Sequence, residues 1–315
     1  MKCVLVTGAA GFIGVNLIRK LQDNENIYVV GIDNFLMSEA VGERGIRSSN
    51  RYDFYNVDVS NADAMSDVFE KYRFDRVYHL AANSDISISY IDPSVDFRNT
   101  FYSTWVLLEC MRKFSCKELI FASSSAIFGD VNVLEVQENY GPCYPISHYG
   151  ASKLGAEAFI SSYAFNYQIS SLVLRFPNVI GDFVTHGVIF DLFRKAQSED
   201  KNLVVLGDGK QEKSYLHVVD LLSAFEFAWN SKSEIVSTFN IGNRDTITVA
   251  SIAEIIRDRC CAQKDIVFTG GQRAWKGDVP TFKFQTNKLF NTGWGPRYSS
   301  QEAVEKTIDF LLGSR

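Results

Sequence analysis

Residues 6–14 read VTGAAGFIG and space Gly8, Gly11 and Gly14 three apart, where the branched apolar run Cys3–Val6 gives way to a helical pattern over Gly11–Gln22. Glycine there permits a tight strand-to-helix turn. It also lets backbone N–H groups at the positive end of the helix approach a pyrophosphate. Three glycines alone mean little; a strand before and a helix after give them meaning. The next apolar run, Tyr28–Ile32, ends in GIDN, which places Asp33 about twenty residues on. A carboxylate there accepts hydrogen bonds from both hydroxyls of an adenosine ribose and repels a 2′-phosphate, so the pattern predicts NAD rather than NADP. The competing reading is a structural glycine turn followed by a surface aspartate.

The alternation continues, with strands expected near Phe54–Val57, Arg76–Leu80, Leu119–Ala122 and Ser171–Arg175. Helices are expected near Asn61–Lys71 and Val95–Phe114, and another begins near Tyr149. Strand–helix alternation of this kind predicts an α/β fold built on a doubly wound parallel sheet. Beyond Phe176 the rhythm loosens, with helices at Val188–Gln197, Leu221–Trp229, Ser251–Cys261 and Gln301–Leu312. A smaller, partly helical region over residues 177–315 is therefore expected beside a nucleotide-binding region over 1–176, with 214–245 returning to the latter. No internal repeat or low-complexity linker separates them, so the chain is expected to cross between two parts of one compact unit.

Composition narrows the function classes. A net charge of −5 without a basic block argues against nucleic acid as the main partner. The N-terminus MKCVLVTG carries no apolar stretch of signal-peptide length, and no apolar run is long enough to span a membrane, which predicts a cytoplasmic protein without membrane attachment. The six cysteines, Cys3, Cys110, Cys116, Cys143, Cys260 and Cys261, form no CxxC pair and lie beside no histidine cluster, which predicts reduced thiols and no metal. Two segments, FYSTWVLLECM and AEAFISSYAF, are apolar on more than one helical face, as expected where a second subunit covers one of them.

The fifth strand runs into Ser123, Ser124 and Ser125, at the carboxyl edge of the sheet where ligands of open α/β folds bind. A serine there can hydrogen-bond a substrate hydroxyl and help pass its proton, although adjacent serines also form turns. In HYGASK, Tyr149 and Lys153 stand one helical turn apart on the same face. A tyrosine titrating near ~10 must be shifted by roughly 3 units, or about 4 kcal/mol, to act as a base at neutral pH, and a nearby ammonium can supply part of that. With 14 tyrosines in the chain such a pair arises by chance. Its place after the glycine turn, Asp33 and the strand-end serines is what singles it out. Two softer signals accompany it: HLAAN, whose small Ala81 and Ala82 let a cofactor lie against the strand ends, and Asp58, which either meets an adenine amino group or caps a helix.

This ordered combination resembles the extended short-chain dehydrogenase/reductase family, most closely its UDP-glucose 4-epimerase-like nucleotide-sugar members. The later segments RFPNVIG, GDGKQEKSYLHVVD, FNIGN and WKGDVP are similar to family landmarks, so the resemblance covers nearly the whole chain. It implies a Rossmann-type sheet, NAD as cofactor, and a homodimer. Phe128-Gly129 stands where the family has Tyr-Gly, which assigns the catalytic serine to Ser124, beside Tyr149 and Lys153. The implied cofactor contacts are Gly8, Gly11, Phe12, Ile13, Gly14, Asp33, Asn34, Asp58, Val59, Leu80, Ala81, Ala82, Asn99, Tyr149, Lys153 and Phe176. The implied substrate contacts are Ser124, Ser125, Asn178, Val188, Lys213, Arg273, Lys276 and Asp278. Trp275 stands where many members have an arginine that grips the pyrophosphate, and Phe282 aligns with a gate residue whose bulk disfavours an N-acetyl group. His186 and His217 find no metal-ligand partners and are expected to be structural or substrate-loop residues.

The implied activity is a nucleotide-sugar 4-epimerase, with a UDP-hexose as substrate, working by transient oxidation at sugar C4 to a 4-keto intermediate and return of the hydride. Ser125 and Ala126 occupy the positions where the family's 4,6-dehydratases carry Asp-Glu, which argues against that outcome. The alternatives are another dehydrogenase, reductase or decarboxylase of nucleotide sugars, and a noncatalytic dinucleotide-binding regulator.

Overall fold

The structure, a computed structural model, describes residues 1–36, 46–83, 86–131, 135–271 and 283–313. Arg273, Trp275, Lys276, Asp278 and Phe282 lie outside the described residues. The chain divides into two compact units, one of Met1–Val131, Asn139–Phe176 and Phe225–Phe239, the other of Asn132–Glu138, Pro177–Ala224 and Asn240–Arg315.

The first unit alternates β1 (Lys2–Thr7), α1 (Phe12–Gln22), β2 (Ile27–Asp33), β3 (Tyr52–Asn56), α2 (Ala62–Lys71) and β4 (Arg76–His79). It continues through α3 (Ile86–Ile91), α4 (Ser94–Asp96), α5 (Ser103–Lys113), β5 (Glu118–Ser124), α6 (His148–Tyr167) and β6 (Ser170–Phe176). These strands form a sheet in the order β6-β5-β4-β1-β2-β3, every adjacent pair parallel. This is the doubly wound Rossmann order, which reverses direction between β1 and β4. Both faces of the sheet are covered, which is why its strands read as unbroken apolar runs. Leu5, Val30, Val77, Leu119 and Phe121 pack with Met65 and Phe69 of α2, Leu107 and Met111 of α5, and Ile160 of α6.

Three features depart from the sequence reading. A seventh strand, Val236–Asn240, adds to the free edge of β6. Its alternation, VSTFN, is too short and polar to stand out from a loop. The expected single helix over 95–114 is interrupted by a π-helical turn at Phe97–Tyr102. Hydroxyls compete there for helical carbonyls, Ser103 Oγ donating to Asn99 O (2.8 Å) and Thr104 Oγ1 to Thr100 O (2.6 Å). Finally, α2 is capped by Asn61, whose side chain accepts from Ala64 N (3.2 Å), so Asp58 is not its cap.

In the second unit, short strands pair two by two, Tyr215–His217 with Asn178–Ile180, Glu212–Lys213 with Ile247–Thr248, and Asp265–Phe268 with Asn202–Val205. Helices Val188–Gln197, Val249–Cys260 and Ser300–Gly313 close a core of Ile189, Leu192, Leu203, Ile252, Val304 and Ile308. Among the described residues, no helix is long and apolar enough to cross a membrane.

Candidate active site

The switch point between β1 and β4 is built by close backbone approach. Gly8 has φ +69°, and a Cβ there would sit 2.8 Å from Ala81 N; one at Gly14 would sit 2.0 Å from Gly8 O. Glycine at these two places lets the turn reach β4 and lets α1 start directly on the turn. Gly11 caps α1 with no side-chain hydrogen bond, and the first turn carries no acidic residue. Asp33 ends β2 with its carboxylate fixed by two N–H donors, Ala10 N to Oδ2 (3.0 Å) and Phe35 N to Oδ1 (2.8 Å). Asp58 accepts from the N–H and hydroxyl of Ser60 (2.8 and 2.7 Å) and from Asn34 Nδ2 (3.2 Å). Burial pushes its carboxyl up, but these hydrogen bonds outweigh that and hold it below the usual carboxylate range.

At the strand ends, Thr7 Oγ1 accepts from Leu80 N (3.2 Å) and Ala81 N (3.1 Å), so its proton goes to His79 Nδ1 (2.7 Å). His79 Nε2 then carries the hydrogen toward Thr104 Oγ1 (3.0 Å). Fully buried, His79 is pushed down to about 3 by burial and then by Lys153, and it stays neutral. The sequence reading passed over it. Its Thr7–His79–Thr104 chain joins β1, β4 and α5 below the switch point.

The chemical end lies between β5 and α6. Ser124 ends β5 and caps the tight turn Ser125–Phe128 by accepting from Ala126 N (3.2 Å). Ser147 caps α6 by accepting from Gly150 N (3.1 Å). A Cβ at Gly150 would lie 2.3 Å from Ala126 O, so the glycine inside HYGASK is what lets α6 begin against the serine turn. Tyr149 is brought to Ser124, and Lys153, 2% exposed, donates from Nζ to Ala122 O (2.6 Å) with its ammonium 5.8 Å from the centre of the Tyr149 ring. One turn further, Glu157 forms a buried ion pair with Arg175 of β6 (2.6 Å) and accepts from Ser123 Oγ (2.5 Å).

Burial dominates the titration of the pair. It pushes Tyr149 up to about 12, with Ser124 pulling back and Asp96 adding to the rise. It pushes Lys153 down to about 7, against the pull of Asp96 and Glu157. Without a further positive charge, then, Tyr149 is a phenol at neutral pH.

The chain has counterparts among known proteins. Residues 4–242 match the NAD dependent epimerase/dehydratase family. The chain is 30% identical over 98% of both lengths to a putative UDP-glucose 4-epimerase of Methanocaldococcus jannaschii. It is 25% identical to the dTDP-D-glucose 4,6-dehydratase of Homo sapiens, over 98% of this chain and 89% of that one. The solved structure of UDP-glucuronic acid 4-epimerase from Bacillus cereus, in complex with UDP-glucuronic acid and NAD, superposes with a TM-score of 0.88 at 26% identity, covering 99% of this chain and 100% of that one. The chain belongs to the NAD dependent epimerase/dehydratase family.

The residues present fit that family's cofactor. The first turn of α1 carries neither a side-chain cap nor an acidic residue, and Asp33 is already oriented by two backbone donors. Of the other expected contacts, Phe12 and Val59 are buried in the core, while Leu80, Ala81, Ala82 and Phe176 are half-buried at the carboxyl ends of the strands. Asn99 falls within the π-helical turn, where its carbonyl is taken by Ser103.

Three of the expected substrate contacts belong to the second unit. In the second unit, Asn178 is exposed, Val188 opens its helix after Gly187 at φ +93°, and Lys213 is half-buried. His217 is buried, its Nδ1 accepting from Val219 N (3.3 Å) and its ring packed on Tyr298, which is a structural setting; His186 is exposed. Among the described residues, no cluster of His, Cys, Asp and Glu is arranged to hold a metal.

Proposed function

We propose that this member of the family is a nucleotide-sugar 4-epimerase acting on a UDP-hexose, and that it works as a homodimer. The observation that carries the reading is the Ser124–Tyr149–Lys153 arrangement next to Ser125 and Ala126, two positions that offer no carboxyl group to protonate and deprotonate the sugar beyond C4. Ala126 is also pressed against α6, its carbonyl facing the bare Cα of Gly150. An epimerase needs only the C4 chemistry.

Bound NAD accepts the C4 hydride and returns it to the other face of the sugar. Tyr149 takes the C4 hydroxyl proton and later gives it back, and Ser124 orients that hydroxyl. Lys153 must supply positive charge beside Tyr149. Burial opposes ionisation of both groups, so the phenolate forms only when Lys153 is protonated and a second cation, the oxidised nicotinamide, lies nearby. The exposed Phe97, Phe159 and Phe165 along the π-helical turn and α6 are the surface on which a second copy would dock.

The test is incubation of the protein with a panel of UDP-, GDP-, CDP- and dTDP-sugars, with products resolved by chromatography and proton NMR. A C4 epimer without net change in NADH absorbance is expected. Loss of water from the sugar, a net redox change, or turnover that survives in Tyr149→Phe would each overturn the reading.

A further inference from the structure

Lys153 meets charged or titratable groups from several sides. Its own helix presents Tyr149 and Glu157, β4 presents His79, α4 presents Asp96, and β5 contributes the carbonyl of Ala122 and the uncharged ring of Phe121, 4.8 Å from the ammonium. His79 is neutral, and Glu157 is matched by Arg175 through two hydrogen bonds of 3.0 and 2.6 Å. We propose that Asp96 is the counter-ion of Lys153, acting through space on the ammonium beside Tyr149 without a direct ion pair. The proposal rests on the reading of Tyr149 and Lys153 as the proton-transfer pair.

Asp96 is fully buried at the end of α4. Oδ1 accepts from Asn83 Nδ2 (2.9 Å), whereas Oδ2 is buried without a hydrogen-bond partner, and no cation is bonded to Asp96 among the described residues. A carboxylate in such a place is costly unless a charge nearby compensates it. The backbone is shaped to bring it there. α4 and the π-helical turn pack on α6, and a Cβ at Gly155 would lie only 3.0 Å from the Phe101 ring of that turn. Asn83, which holds Asp96, is itself anchored on the turn by its N–H to Thr100 Oγ1 (3.2 Å). Asp96 acts electrostatically on both members of the pair, favouring protonated Lys153 and opposing ionised Tyr149.

The sign of the test follows. Removing a negative charge weakens proton binding by both groups, so in Asp96→Asn the midpoints of Tyr149 and Lys153 should both move to lower pH. The amide keeps an acceptor for Asn83. Tyrosine and lysine are isotope-labelled at ring carbon ζ and carbon ε, and the two resonances are assigned by their loss in Tyr149→Phe and Lys153→Met. Each midpoint is expected to fall by about one unit or more, a tenfold or larger drop in proton affinity.

A purely structural Asp96 would lower the unfolding midpoint and leave the two titrations in place; midpoints within a few tenths of a unit of wild type overturn the proposal. If Asp96→Asn does not fold, Asp96→Ser supplies a second measurement, in which the Lys153 midpoint should again fall by about one unit or more, and an unmoved midpoint also overturns the proposal. Neither measurement uses a sugar. Failure of the sugar panel with shifted titrations would remove the epimerase reading alone.

Discussion

Gly150→Ala separates geometry from chemistry at this site. An alanine Cβ would lie 2.3 Å from Ala126 O, 2.9 Å from Ala126 C and 3.0 Å from Pro145 Cβ. Ordinary contact begins near ~3.5 Å, so the first turn of α6 must retreat from the serine turn by about 1 Å. Two stability effects then oppose each other: alanine gains about 1 kcal/mol over glycine inside a helix, and overpacking costs about 1–3 kcal/mol. Net destabilisation of about 0–2 kcal/mol is expected. Catalysis is far more sensitive, because Tyr149 moves with α6 while Ser124 stays with the turn it caps. A misplacement of about 1 Å costs on the order of a hundredfold in rate, equivalent to about 2.7 kcal/mol of barrier. Steady-state kinetics on the most active sugar, together with guanidinium unfolding, reads both quantities. The control is Gly155→Ala, whose Cβ meets only the Phe101 side chain, at 3.0 Å and beyond; a ring can turn aside, so a loss of a few-fold at most is expected. A Gly150→Ala enzyme within threefold of wild type in kcat/KM, with an unmoved unfolding curve, would show that the close approach of α6 does not set the Tyr149–Ser124 geometry.

Other perturbations follow from the same contacts. Because burial lowers Lys153 to about 7 from an ordinary 10.5, the unfolded chain binds more protons between those pH values, and this residue makes stability rise with pH across that window. The unfolding free energy of wild type should therefore rise with pH across that window more steeply than that of Lys153→Met, and a difference between the two that stays flat with pH contradicts this. Glu157→Gln removes the carboxylate charge that compensates the buried Arg175 guanidinium and should cost about 3–5 kcal/mol in chemical unfolding, against less than 1 kcal/mol if the pair is solvated in practice. Asp33→Ala deprives Ala10 N and Phe35 N of their acceptor and should weaken NAD binding by tenfold or more in calorimetry, while an unchanged affinity would remove Asp33 from the cofactor site.

What the sequence revealed, and what it hid, divides by the range of the physics involved. The strands of the first unit were readable because both faces of a parallel sheet are covered, leaving Val4–Val6 and Leu119–Ala122 as plain apolar runs. The Gly8–Gly14 turn and Asp33 were readable because their spacing is local. The interruption of 95–114 and the cap at Asn61 were missed because they turn on which hydroxyl or amide captures which backbone group, a competition that periodicity does not register. Asp96 and His79 had no sequence signal of their own. Each acquires a meaning only when β4, α4 and α6 meet. Glu157 falls between these cases. Its place four residues beyond Lys153 extends a row on one helical face, but its partner Arg175 lies on β6 and its hydroxyl donor Ser123 on β5. That row carries the ordered face of α6 one turn beyond Tyr149 and Lys153. Successive turns of α6 bring Tyr149 to Ser124, join Lys153 to Ala122 and join Glu157 to Ser123, so three adjacent residues of one strand fix the height of the helix. A helix fixed in this way can present a phenol to a bound sugar without its own first turn having to pay the entropy of finding the site.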